Sequence, residues 1–487
     1  MILNLKLQAQ VRYNSVSMKH RSSLLTPLIF FATILFVLIG TYFVIRYAKG
    51  DRLGNTGVVK GTGLLAANSF PTGAQVYIDG RLTTATDNTL NLDPGKYKIE
   101  IKKDGYHTWT KDLTIAKELV TPTNAQLFPA SPALEPLTYT GAENPTPSAD
   151  GNSLAFTVAS ASASTKNGLY VQDLNSSPIS LNKNARQIAQ NTAEHDYSKS
   201  KFVFSPNSSE ILVSFDTGAN LLLDATRFNN PQDLEDITWK LGTILNDWEL
   251  EMARTERVRL LELPPFFQEI ATASGKLTNL YFSPDGKKLL YQALVPIEIP
   301  KELIPPLPAT STQEESRTTT PGTWYIYDLI EDKNFAIANG QAPSPSPSIL
   351  PKGSKKQVAS PTPTPIINKL MLLDNLSPIP AETTSSPSAY RKLQENVTRD
   401  TTLKLIAAQY SSIYVDSVQW YPDSSHLILH SDNKIEIMEY DTTNRFTLYS
   451  GPFDNSIVYP WPDGSKIITR IQFSEGTIPN LYTIKLK

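Results

Sequence analysis

The chain has 487 residues, roughly three domains' worth at the usual 100–200 residues each. Its charges nearly cancel, 45 Lys and Arg against 47 Asp and Glu for a net −2, which argues against a nucleic-acid partner. There is no cysteine, so disulfides, thiolate metal sites, a Cys nucleophile and a cysteine-linked lipid anchor are excluded, while proline (36) exceeds glycine (23), a balance that favours strands, turns and linkers.

No charged residue occurs from Ser22 to Ile45, and Leu24–Ile45 is almost entirely apolar. At 1.5 Å per residue this run spans about 33 Å, enough for the roughly 30 Å hydrocarbon core. Pro27 falls in the first turn, where its missing N–H costs little, and Tyr42 and Tyr47 suit the interface. A cleaved signal peptide is the alternative. Against it, the run exceeds the usual roughly 7–15 residues, and Arg46, Tyr47 and Lys49 stand where small cleavage-site residues belong. The expectation is a short tail, 1–23, then a transmembrane helix, 24–46, with the lipid bilayer as partner. Lys6, Arg12, Lys19 and Arg21 before the span nearly balance Arg46, Lys49, Arg52 and Lys60 after it. Because long segments translocate largely regardless of charge, a cytoplasmic N-terminus and an extracytoplasmic bulk are expected.

Residues 61–128 show short apolar alternations punctuated by turns. Gln75-Val76-Tyr77-Ile78 runs into Asp79-Gly80, a strong hairpin signal, and Asp93-Pro94-Gly95 and Asp104-Gly105 mark two more turns. Tyr97, Ile99 and Ile101 recur at period two, as do Leu113 and Ile115, so an antiparallel sheet with one buried face is expected. The order Phe70-Pro71-Thr72-Gly73-Ala74, Val76-Tyr77-Ile78-Asp79-Gly80, Pro94-Gly95, Tyr97-Lys98-Ile99 and Gly105-Tyr106 followed by Trp109 resembles the PEGA domain, with Thr72 in place of the family's Glu. The resemblance implies a small extracytoplasmic β-sandwich-like module with no catalytic residues to carry over.

From residue 131 onward one phrase recurs: Pro147-Ser-Ala-Asp150-Gly151, Ser205-Pro206-Asn207, Ser283-Pro284-Asp285-Gly286, Tyr421-Pro422-Asp423 and Trp461-Pro462-Asp463-Gly464, each a turn entering an apolar strand. A second phrase follows in turn, at Leu169–Leu174, Trp324–Leu329, Ile435–Asp441 and Leu481–Ile484. Pro422 to Pro462 is 40 residues, the length of one four-stranded propeller blade. The pattern resembles the TolB-like, WD-type repeats of bacterial β-propellers. The other spacings, 59, 78 and 138 residues, point to insertions. In 234–271, Ile237, Leu241, Ile244, Leu245, Trp248 and Met252 share one helical face, and Pro264-Pro265 interrupts the pattern. A Pro/Thr-rich loop occupies 294–320, and a Pro/Ser/Thr-rich, disordered and partly polyproline II segment occupies 340–390. Without them about 240 residues remain, or about six blades, with five to seven open and 131–146 a candidate for the closing strand.

The fold class expected is therefore mainly β: an N-terminal helix, a PEGA-like domain and a decorated propeller over 131–487. No catalytic, cofactor-binding or metal-ligating residue is assigned. The repeat aspartates Asp150, Asp285, Asp423 and Asp463 fall one per blade at equivalent turns, as turn caps do. Gly151-Asn-Ser153-Leu-Ala155 imitates a nucleophile elbow but has no following helix, and Gly61-Thr-Gly63-Leu-Leu-Ala66 imitates a dinucleotide loop without its βαβ unit. His426 and His430 share a strand face about 13 Å apart, too far for one ion, and His20, His107 and His195 have no partner nearby in sequence. Among Trp109, Trp239, Trp248, Trp324, Trp420 and Trp461, the last two precede repeat prolines, a packing position more than a ligand platform.

The expected function is non-enzymatic: a binding or scaffold protein of the cell envelope, engaging a protein or a cell-wall or surface polysaccharide, with no nucleic acid and no cofactor. Two alternatives stand beside it. One is a hydrolase or lyase whose site is assembled from propeller loops; the other is a sensor subunit needing a separate signalling partner.

Overall fold

A computed structural model describes residues 25–48, 52–53, 59–174, 185–273, 275–305, 307, 311–337 and 418–487. The expected tail 1–23 and the insertion 340–390 lie outside the described residues. Helix α1 spans Leu25–Ala48, and none of its Leu28–Ile45 stretch is buried against the rest of the chain. Among the described residues it is the one helix long and apolar enough to cross a membrane.

The small β-domain packs two sheets around Leu65, Val76, Ile99, Ile101, Trp109 and Ile115, all nearly inaccessible. One is a four-stranded antiparallel sheet in the order Arg81–Ala85, Gln75–Ile78, Gly95–Lys102, Trp109–Ile115. Its first hairpin turns through Asp79 and Gly80, both at positive φ (49° and 77°), the left-handed pair that a two-residue turn of matching twist requires. The other sheet orders Val120–Pro122, Gly63–Ala67 and Asn88–Leu92. Beyond the antiparallel pattern expected, two pairings are parallel, Val120–Pro122 on Leu64–Ala66 and Ala125–Gln126 on Ser69–Phe70. Alternation reports which face a residue occupies but not the direction of its neighbour, so the sequence is silent on this.

Five blade sheets follow among the described residues, against the expectation of about six. The first comprises Glu143–Pro147, Ser153–Val158, Gly168–Asp173 and Arg186–Gln190; the second is three-stranded, Ser200–Phe204, Glu210–Phe215 and Asn220–Asp224. The third comprises Leu277–Phe282, Lys288–Ala293, Trp324–Asp328 and Lys333–Ile337; the fourth Val418–Trp420, His426–Ser431, Lys434–Glu439 and Phe446–Ser450. The fifth joins the two ends of the propeller: Leu134–Pro136 pairs antiparallel with Asn480–Lys485, which pairs with Lys466–Ile471 and through it with Val458–Pro460. Central strands such as Ile211-Leu212-Val213, Leu289-Leu290-Tyr291 and Leu427-Ile428 are buried on consecutive residues because both faces of each sheet meet other elements.

Packing between blades runs first to second (Val171, Phe204, Val213), third to fourth (Leu290, Ile326, Trp420), fourth to fifth (Tyr421, Ile428, Ile467) and fifth to first (Phe156, Tyr459, Leu481). Between the second and third blades lie α2 (Leu241–Leu261) and α3 (Pro265–Thr272). Leu241, Ile244, Leu245, Trp248 and Met252 of α2 pack together on Val203 and Leu212 of the second blade, as their helical spacing predicts, whereas Ile237 joins them from outside the helix, ahead of the single 3-10 turn Thr238–Lys240. The Pro264-Pro265 pair separates the helices, since Pro265 has no N–H to continue α2 and takes the first position of α3.

Candidate functional site

The β-domain sits against the fourth blade, at the end of the propeller that carries the repeat turns. Its strand Trp109–Ile115 alternates Trp109, Lys111, Leu113 and Ile115 on one face, and Lys111 is the only polar member. That lysine is driven into the turn after strand Lys434–Glu439, where its ammonium bridges the carboxylates of Glu439 and Asp441, the latter at 2.6 Å. The three side chains retain 13, 8 and 1% of their exposure, so this is a buried ion cluster and not a surface pair. Burial alone would push the Lys111 ammonium down; the two carboxylates outweigh it and hold the group above the usual lysine range.

Both carboxylates have further partners. The Trp109 indole N–H donates to Glu439, Asn444 Nδ2 donates to the same carboxylate at 2.8 Å, and Thr443 Oγ1 donates to Asp441 at 2.6 Å. The Thr110 backbone N–H donates to Asn444 Oδ1 at 2.8 Å. From the third blade's loop, Thr312 Oγ1 and Gln313 Nε2 donate to the Asp112 carbonyl at 2.5 and 3.1 Å. Beside the ions, His107 stacks on Phe446 with ring centroids 4.6 Å apart and planes 9° from parallel. Burial lowers the pKa of His107 against the raising effect of the Thr447 backbone, and its Nε2 is buried with no hydrogen-bond partner among the described residues. Phe128 packs edge-on against Tyr421 and His426. Burial would lower the pKa of His426, yet Asp423, 2.7 Å from its Nδ1, raises it.

This arrangement matches donors to acceptors across two domains, which is the chemistry of a fastening. Removing one member of such a cluster leaves a buried charge uncompensated, whereas the intact set fixes one orientation.

The repeat aspartates turn out to cap their own turns. Asp150 accepts from Ser148 Oγ and Asn152 N, Asp285 from Ser283 Oγ and Lys287 N, Asp423 from Ser425 N and His426 N, and Asp463 from Ser465 N. The structure does not bring them together. His426 and His430 are both buried in strand His426–Ser431, and among the described residues no three His, Asp or Glu side chains converge as metal ligands. Trp420 is buried and donates to the Tyr281 carbonyl at 3.2 Å, Trp461 lies under Lys466, and Trp239 is exposed. Gly151 lies in the first repeat turn and Ser153 opens the strand that follows it, and Gly63 packs against Ala116 and Ile115. Sequence reasoning missed Lys111, Glu439, Asp441 and Asn444. One signal was legible: a lysine in register with Trp109, Leu113 and Ile115 on the inward face of a strand.

Comparison with known proteins identifies one segment. Residues 62–131 match the PEGA domain. No curated protein matches the chain. Solved structures similar to it include a putative TolB from Agrobacterium tumefaciens (10% identity, 70% of this chain and 77% of that one, TM-score 0.19). Others are TolB from Acinetobacter baumannii (11% identity, 80% and 60% covered, TM-score 0.17) and an oligogalacturonate lyase in complex with manganese (10% identity, 82% and 81% covered, TM-score 0.18). At these TM-scores the likenesses carry no argument about site or activity, and the propeller is read from its own sheets. The chain thus carries a PEGA domain at residues 62–131, fastened by buried ions to the fourth blade of a β-propeller.

Proposed function

We propose that this is a non-enzymatic binding or scaffold protein of the cell envelope, held in the membrane by α1, with its N-terminus cytoplasmic and the PEGA domain and propeller outside. The observation that carries the reading is the buried Lys111–Glu439–Asp441 cluster, which makes the PEGA domain and the propeller one body behind a single apolar helix. A rigid pair on a tether presents a large, oriented surface to a protein or a surface polysaccharide, and needs no reacting group to do so. PEGA domains are extracytoplasmic modules, which supports the assignment of the outer side.

Two measurements test it. Protease added to intact cells should remove the propeller from α1, and protection of the propeller would overturn the orientation. The full chain in detergent, immobilised and challenged with envelope extract, should retain one protein or polymer that a Lys111→Met variant retains less well. Failure to retain anything, together with hydrolase activity in a broad substrate screen, would overturn the non-enzymatic reading.

A further inference from the structure

Adjacent blades are tied to each other through their repeat turns, by one of two devices. Where the following blade has serine after the turn's Asp or Asn, the preceding aspartate's backbone N–H donates to that hydroxyl: Asp150 to Ser208 Oγ and Asp285 to Ser424 Oγ, each at 3.0 Å. Where the following blade has glycine there, a tyrosine of the preceding blade donates to the glycine carbonyl: Tyr421 to Gly464, and Tyr459 to Gly151 at 2.7 Å. These four ties serve the first–second, third–fourth, fourth–fifth and fifth–first junctions.

Among the described residues the second–third junction has neither. The third blade carries Gly286 at the position in question, which removes the hydroxyl, and the second blade ends its inner strand Phe202-Val203-Phe204, which supplies no tyrosine. A Cβ placed on Gly286 would meet nothing within 4 Å, while one on Gly464 would lie 2.6 Å from the Tyr421 hydroxyl. The same junction also lacks direct sheet-to-sheet packing: among the described residues, no apolar cluster joins the second blade to the third. The first half of α2 covers Val203 and Leu212 of the second blade; Leu260, Leu263 and Phe267 cover Tyr291 and Tyr327 of the third. Between these two footholds Arg254, Arg257 and Val258 of α2 are exposed.

We propose that the propeller is a ring with one built-in seam, between its second and third blades, and that α2–α3 is the strap across it. The ring opens there before any other junction releases, because opening separates helix from sheet at two independent apolar contacts and breaks no turn-to-turn hydrogen bond. The four tied junctions must lose a continuous sheet interface and its hydrogen bond together. Opening exposes the two apolar faces that the strap now covers.

The absence of native cysteine makes thiol labelling of single-cysteine variants of the full chain in detergent a clean test. Leu212→Cys and Leu289→Cys report the two sides of the seam, and Ile428→Cys reports the fourth–fifth junction; all three positions are fully buried. Both seam positions should label at least about tenfold faster than Ile428→Cys under native conditions, and adding Trp248→Ala should accelerate the seam positions alone. Equal rates at all three sites would overturn the proposal. So would protection of Leu289→Cys at the Ile428→Cys level, which means α2 merely peels away, or a uniform rise with Trp248→Ala, which means global unfolding. Amide exchange on the unsubstituted chain is the control for misfolded variants: α2–α3 should exchange faster than strand His426–Ser431, and equal protection counts against the seam.

Discussion

Two of the propeller's contacts with non-propeller chain are built from opposite chemistry. At the PEGA junction a lysine, two carboxylates and an indole N–H are packed together with a half-buried asparagine, their hydrogen bonds matched. At the seam, the contact between helices and sheets is almost wholly apolar, with Trp248 and Met252 on one blade and Phe267 against Tyr327 at 4.1 Å on the other. Buried ions have one good geometry and a large penalty for any other, so the first contact dictates orientation. Apolar surface is non-directional and tolerates sliding, so the second contact holds the ring while permitting movement. One propeller therefore has a rigid mount at its fourth blade and an adaptable closure between its second and third.

The sharpest way to break this contrast is at Lys111. Lys111→Met should destabilise the PEGA junction by about 4 kcal/mol, because Glu439 and Asp441 are left buried without a cation. Amide exchange in strand Trp109–Ile115 measures the loss, and adding Glu439→Gln and Asp441→Asn should recover most of it. Phe267→Ala, which empties a fully buried site against Tyr291 and Tyr327, should cost about 3 kcal/mol. That loss should appear as faster exchange in α3 and the third blade, with the PEGA strands unchanged. Tyr421→Phe removes the tie to Gly464 and leaves a carbonyl unpaired, worth about 1 kcal/mol in denaturant unfolding.

The smallest effect expected is in pH. The folded-state pKa of His107 is lowered by burial, so its neutral ring is favoured and the junction loses stability as pH falls through the unfolded value of about 6.5. His426 has the opposite sign: Asp423 raises its folded pKa, so its contribution is fully present below the unfolded value and is lost as pH rises through the raised one. His107→Phe keeps a ring on Phe446 but cannot titrate. Its melting temperature should therefore fall less than that of the unsubstituted chain between about pH 7.5 and about pH 5.5.

Local pattern carried much of the architecture. A run of apolar residues without charge is enough for α1, Asp79-Gly80 is enough for a hairpin, and five side chains at helical spacing are enough to name the buried face of α2, since each depends on neighbours a few residues away. The mainly-β class and the propeller repeat were legible for the same reason, as was the turn-capping role suited to Asp150, Asp285, Asp423 and Asp463. The PEGA junction was not legible, because Lys111 and Glu439 meet only after hundreds of residues have folded between them. His107 likewise finds Phe446 across two domains. The letters Ser208, Ser424, Gly151, Gly464 and Gly286 were all visible in the repeats, yet their meaning depends on which residue the preceding blade offers. Blade order, and the helices standing where a fifth direct junction would be, are settled by tertiary packing alone, because only packing decides which sheet faces which.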